Sequence, residues 1–204
     1  MPISTSNIQW TLKHSLAMMK TRTIVLGVTG GIAAYKSAEL TRRLVEAGST
    51  VHVIMTRSAQ QFITPLTLQT LSGHAVHTDL FDLTQEHEIG HISLADRADV
   101  VLIAPATADV IAKVAHGLCD DLITTVICAT QAPVIFAPAM NVHMWKNPIT
   151  QENIQKLRKH GYLLLEPDSG SLACGYEGKG RLPDPQIIID FLEKSLSKKK
   201  PHIA

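Results

Sequence analysis

Several stretches of the chain place reactive residue types at spacings that suit ligand binding or catalysis. Gly27-Val-Thr-Gly-Gly-Ile32 is glycine-rich and runs into a helical pattern. Glycines let the main chain approach a ligand closely, and a helix start offers unpaired N–H groups and a positive dipole end to a phosphate. The spacing is neither G-x-G-x-x-G nor a Walker lysine loop, and a tight strand-to-helix turn explains it equally well. Thr56-Arg57-Ser58 and Ala104-Pro-Ala-Thr-Ala-Asp109 each follow an apolar run; their hydroxyls fit a phosphate or a helix cap. His87-Glu88-Ile89-Gly90-His91 matches H-E-x-x-H. A zinc site of that type needs both imidazoles on one continuous helix and a third ligand beyond it. Gly90 weakens such a helix, the upstream stretch is polar and aperiodic, and no third ligand is evident. No metal is expected. His91 reads instead as the start of a helix facing the strand ends and as the best general-base candidate among ten histidines. Pro138-Ala-Met-Asn141 brings an uncharged amide, as ligand or as cap. Ala173-Cys-Gly-Tyr-Glu-Gly-Lys-Gly-Arg181 sets Cys174 beside Lys179 and Arg181, a cationic pair suited to an anionic substrate or to solvation alone.

The elements that hold these residues alternate in type. Strand patterns cover Thr23–Thr29, Thr50–Thr56, Asp99–Ala104, Pro133–Ala137 and a short Tyr162–Leu165, with a weak edge strand at Ala75–Leu80. Helical periodicity covers Ile32–Ala47, Pro65–Leu71, Ile92–Ala98, Ala108–Ala115, Asp120–Ala129, Pro148–His160 and Pro185–Leu196. Strands separated by helices predict right-handed βαβ crossovers and one parallel sheet covered on both faces. Ligands in such sheets bind beyond the carboxyl ends of the strands, where the stretches above converge. Glu166–Pro185 holds four glycines and three prolines without an apolar period, and is expected to be a flexible flap. The domain spans residues 21–196, between an N-terminal extension at 1–20 and a basic tail at 197–204.

Composition narrows the function classes. The 204 residues are 45% hydrophobic, enough for a core without disulfide or metal staples. Nineteen Lys+Arg against eighteen Asp+Glu give +1, so no basic excess drives binding to nucleic acid by counterion release. The three cysteines are odd in number and form no C-x-x-C pair, which suits a reducing compartment. Cys119 and Cys128 fall in apolar helical stretches and read as packing residues. No apolar run reaches the roughly 18 residues of a membrane span, and the N-terminus lacks a signal-peptide pattern. A cytoplasmic protein is expected.

Taken in order, Gly27–Ser37 (GVTGGIAAYKS), His91 leading into Ala104–Asp109 (APATAD), Pro138–Asn141 (PAMN) and Ala173–Arg181 (ACGYEGKGR) resemble the flavin-dependent cysteine decarboxylases. Within them they resemble the branch that acts on phosphopantothenoylcysteine in coenzyme A biosynthesis. The likeness runs from about Thr23 to Asp190. It implies a single-domain, three-layer α/β/α flavodoxin-like fold with a Rossmann-like parallel sheet, binding FMN and assembling as trimers or dodecamers. Carried over position by position, His91 is the base, Asn141 holds the substrate carboxylate, and Cys174 donates a proton from the flap. FMN contacts fall on Gly30, Gly31, Ile32, Thr56, Ser58, Thr107, Ala108, Asp109 and Ala139, and substrate contacts on Asn141, Ala173, Lys179 and Arg181. The implied reaction oxidises the cysteine moiety to a thioaldehyde, releases CO2 and returns the electrons. Tyr176 and Leu182 stand where such flaps often carry Asp and Met. Peptidyl-cysteine decarboxylase, flavin prenyltransferase and non-enzymatic FMN-binding regulator are the rival readings. Many relatives fuse this domain to a synthetase half; no ligation activity is expected within these 204 residues.

Overall fold

A computed structural model describes residues 22–81, 90–171 and 175–197. The apolar runs become parallel strands: β1 (Thr23–Val28), β2 (Thr50–Met55), β3 (Val100–Ala106), β4 (Val134–Pro138) and the short β5 (Leu163–Leu164). Their order is β2-β1-β3-β4-β5, in register from Ile24 opposite Val51 on one side to Val100 on the other. The sheet therefore reverses its winding between β1 and β3, the place where such folds open a ligand crevice.

Helices cover both faces: α1 (Lys36–Glu46), α2 (Pro65–Ser72), α3 (Gly90–Arg97), α4 (Ala108–Ala115), α5 (Leu122–Ala129), α6 (Val142–Lys146), α7 (Pro148–Lys159) and α8 (Pro185–Ser197). Alternate strand residues face opposite layers. Ile24, Leu26, Val53 and Leu102 pack with Leu40 and Leu44 of α1, Leu68 of α2 and Ile188 and Leu192 of α8. Val25, Ile54, Ile103 and Phe136 pack with Leu94 of α3, Ile111 of α4, Val126 of α5 and Ile154 of α7. The three-layer α/β/α arrangement is the one anticipated from the pattern.

Local chemistry sets the helix starts. Thr107 accepts from the Val110 N–H and caps α4, Asp121 accepts from the Thr124 N–H in a capping box at α5, and Asn147 caps α7 ahead of Pro148. Three expectations change. Ile32–Ala47 is not one helix: it opens with a 3₁₀ turn at Ile32–Tyr35, and α1 starts at Lys36. Ala75–Leu80 forms no strand; its pairing with β2 is a single bridge between His77 and Ile54. The stretch expected to lack regular structure contains an antiparallel hairpin, β6 (Asp168–Ser171) and β7 (Glu177–Arg181). Residues 1–20, most of the tail and Ala173–Cys174 lie outside the described residues, as do His87 and Glu88 of the HEIGH motif.

Candidate active site

Segments from four parts of the chain enclose a cavity of about 560 Å³ at the carboxyl ends of the strands. That volume lies in the range of about 300–1,000 Å³ usual for small-molecule and cofactor sites. After β1 come Gly30, Gly31, Ile32, Ala33, Tyr35 and Lys36; after β3, Thr107 and Ala108; after β4, Ala139, Met140, Asn141 and Met144. The hairpin closes the fourth side with Ser171, Gly180, Arg181 and Leu182.

The glycines are there for space. A Cβ at Gly30 would stand 2.2 Å from the Ser58 Cβ, so this loop can lie against the loop after β2 only without a side chain. Gly31 meets nothing nearer than Thr107 Cγ2 at 4.0 Å and leaves bare backbone facing the start of α4. Thr107, at the α4 N-cap, stands where free N–H groups and the helix dipole favour an anion.

Asn141 lines the cavity at the N-cap of α6, where its Oδ1 accepts the His143 N–H at 2.8 Å. That bond fixes the side-chain orientation. The hairpin is joined to the same loop: the Met140 N–H donates to the Gly180 carbonyl at 2.9 Å. Gly178 and Gly180, at φ +148° and +151°, let β7 lie flat on it; a Cβ on Gly180 would be 2.2 Å from the Met140 carbonyl oxygen.

Two cations face one end of the cavity. Arg181 reaches it from β7. Lys36, which sequence reasoning did not single out, reaches it from α1 and donates to the Leu182 carbonyl at 2.9 Å. Burial and the neighbouring Arg181 charge hold the Lys36 pKa below its usual value, against the opposing pull of Asp184 and Asp168. Lys179 points elsewhere. Its Nζ donates to Glu166 Oε2 at 2.6 Å and lies 5.6 Å from the Trp145 ring centroid, while Arg158 pairs with the other Glu166 oxygen. Burial raises the Glu166 pKa, but the bonds from Lys179 and Arg158 outweigh it and bring it below the ordinary range.

Of the residues singled out from sequence, the cavity brings together Gly30, Gly31, Ile32, Thr107, Ala108, Ala139, Asn141 and Arg181. Thr56, Ser58, Asp109, His91 and Lys179 do not line it. Thr56 caps the turn after β2 through the Ala59 N–H, Ser58 abuts Gly30, and Asp109 is exposed beside Lys113. His91 is the second residue of α3, as its helix-start reading required. Cys119 and Cys128 are exposed rather than packed in the core: Cys119 sits in the turn before Asp121, and Cys128 on the outer side of α5. Among the described residues no group of His, Cys, Asp or Glu is arranged to hold a metal ion.

A family model described as Flavoprotein matches residues 12–197. The coenzyme A biosynthesis bifunctional protein CoaBC of Bacillus subtilis (strain 168) is 50% identical over 181 residues, covering 89% of this chain and 45% of its own. The chain thus spans under half the length of the first curated relatives it matches. Among solved structures, a cysteine-to-serine mutant of PPC decarboxylase complexed with pantothenoylaminoethenethiol matches with TM-score 0.78 and 32% identity, over 88% of this chain and all of that one. The FMN-dependent cysteine decarboxylase SpaF matches with TM-score 0.75 and 31% identity, over 88% of this chain and 99% of that one.

Proposed function

The chain belongs to the Flavoprotein family, and on that premise we propose that it decarboxylates 4'-phospho-N-pantothenoylcysteine to 4'-phosphopantetheine in coenzyme A biosynthesis, with FMN as cofactor. The observation that carries this reading is the single cavity shared by bare glycine backbone, the α4 start, Asn141 and two cations.

The residues present fit FMN. Gly30, Gly31 and the start of α4 offer N–H groups to a phosphate, and Ile32, Ala33, Ala108, Ala139 and Met144 offer an apolar wall to a flat ring. Ser58 backs that end from outside the cavity wall, against Gly30. When bound, FMN supplies a reversible two-electron acceptor beside the sulfur-bearing carbon of the substrate, the chemistry an unmodified cysteine lacks for losing CO2.

The protein's own groups do the rest. Asn141 orients the carboxylate through an uncharged amide; a cation there would stabilise the charge that must disappear in the transition state. Arg181 and Lys36 hold the substrate phosphate. His91 takes the proton that leaves the substrate, and Cys174 returns one to carbon as product forms. Ala173 and the rest of the flap close over the substrate and exclude water.

The protein works on this reading as a homo-oligomer, a trimer or a dodecamer, in the cytoplasm and without a nucleic-acid or membrane partner. Ile32, Tyr35 and Met144 are exposed around the cavity mouth, an apolar rim that a second copy would cover. His91 stands outside the cavity of its own chain, and we place its action across a contact between copies. Among the described residues no helix is long and apolar enough to cross a membrane.

The test is incubation of purified protein and FMN with 4'-phospho-N-pantothenoylcysteine, following CO2, product mass and the visible spectrum. Release of CO2 with phosphopantetheine as product is expected. Stalling at the oxidised ene-thiol, or turnover only of a peptide ending in cysteine, would replace this reading with the peptidyl-cysteine one.

A further inference from the structure

Strand β3 is irregular where it meets the cavity. Its register against β4 shifts between Ile103 and Ala106, and Pro105 within the shift has no N–H to give the ladder. Two main-chain carbonyls there, Ala104 and Pro105, turn to side-chain donors from other elements. The Ser37 hydroxyl, from the first turn of α1, donates to the Ala104 oxygen at 2.8 Å. The Thr29 hydroxyl, just past the end of β1, donates to the Pro105 oxygen at 2.7 Å. Both side chains are buried. Thr29 makes one contact that Ser37 does not: its oxygen also accepts the Thr107 N–H at 3.0 Å. Thr107 in turn caps α4, and Thr107 and Ala108 line the cavity opposite Gly30 and Gly31.

We propose that Thr29 is a positioning residue for the cofactor: its one hydroxyl, donor to Pro105 and acceptor from Thr107, sets the span between the Gly30–Gly31 backbone and the start of α4. Being 1% exposed, Thr29 touches no ligand itself and acts through Thr107. A hydroxyl is needed because the position must donate and accept at once; a methyl in its place does neither and orphans a buried carbonyl and a half-buried N–H. Ser37 is the built-in comparison, since it satisfies the same bulge from α1 without a bond to the α4 loop.

The proposal rests on the cavity being the FMN site, and the experiment separates the two. FMN is titrated into apoprotein by flavin fluorescence for the wild type and for Thr29→Val, Thr29→Ser and Ser37→Ala, with apoprotein melting and the visible spectrum of bound flavin recorded in parallel. Thr29→Val is expected to weaken FMN at least tenfold and shift the flavin bands, Thr29→Ser to restore both, and Ser37→Ala to lower the melting temperature while leaving FMN affinity within about twofold. Wild-type affinity and spectrum in Thr29→Val, or failure of Thr29→Ser to rescue, overturns the proposal. Wild-type protein that binds no FMN overturns the reading of the cavity instead. Should Thr29→Val not fold, amide exchange on the wild type decides: a Thr107 N–H protected like those of β3 supports the clamp, and one exchanging like an open loop refutes it.

Discussion

Gly180→Ala tests whether the flap is held to the site by backbone fit. The φ of +151° is one that L side chains rarely adopt, and holding alanine there costs about 1–3 kcal/mol. The added Cβ would also stand 2.2 Å from the Met140 carbonyl oxygen, a main-chain atom that cannot rotate away. Strand β7 must therefore lift, and the Met140-to-Gly180 hydrogen bond goes with it, worth about 1 kcal/mol. Together that is roughly 2–4 kcal/mol against docking, a factor of about 30–700 in the docked population. The five-stranded sheet does not depend on this contact, so the main melting transition moves little. Hydrogen exchange should show loss of protection at the Met140 amide, and kinetics should show a raised KM for substrate. Gly175→Ala is the control: its φ of +82° is also unfavourable, but no atom lies within 4 Å of an added Cβ. Unchanged Met140 protection and KM in Gly180→Ala would refute the reasoning.

Arg181→Gln should raise KM at least tenfold through loss of a phosphate contact, whereas Lys179→Gln, whose charge is engaged by Glu166, should raise it less than threefold in the same assay. His91→Asn is expected to keep yellow, FMN-loaded protein and lose turnover, and Cys174→Ser to accumulate an oxidised ene-thiol visible by mass spectrometry. Burial, with the charges of His74, Arg97 and His77, lowers the His52 pKa from 6.5 to about 4. The unfolded chain therefore binds the extra proton between those values, so melting temperature should fall as pH drops from about 6.5 to 4 and level off below; His52→Gln should flatten that limb.

Much of this architecture is legible in the residue pattern because the strands are buried on both faces. Thr23–Val28 and Val100–Ala106 are apolar at nearly every position, which only a sheet sandwiched between helix layers tolerates. The β6–β7 hairpin is illegible for the opposite reason. Asp168–Ser171 and Glu177–Arg181 have no apolar face and are ordered by main-chain pairing and by contact of their glycines with Met140 and Val142, none of which leaves a period. Lys36 and Arg181 meet across 145 positions of sequence, so spacing could not pair them. Cys119 misled because it falls in the connection between α4 and α5, and Cys128 because apolar neighbours mark a helix's burial and not the side on which a thiol falls.

The cavity draws on the chain from Gly30 to Leu182. A ribosome-bound chain has therefore synthesised nearly the whole domain before the cavity is complete, and no half of it can enclose a ligand alone. On the proposed reading, mass action then favours the finished fold: free FMN at about 100 times its dissociation constant would stabilise it by roughly 2.7 kcal/mol.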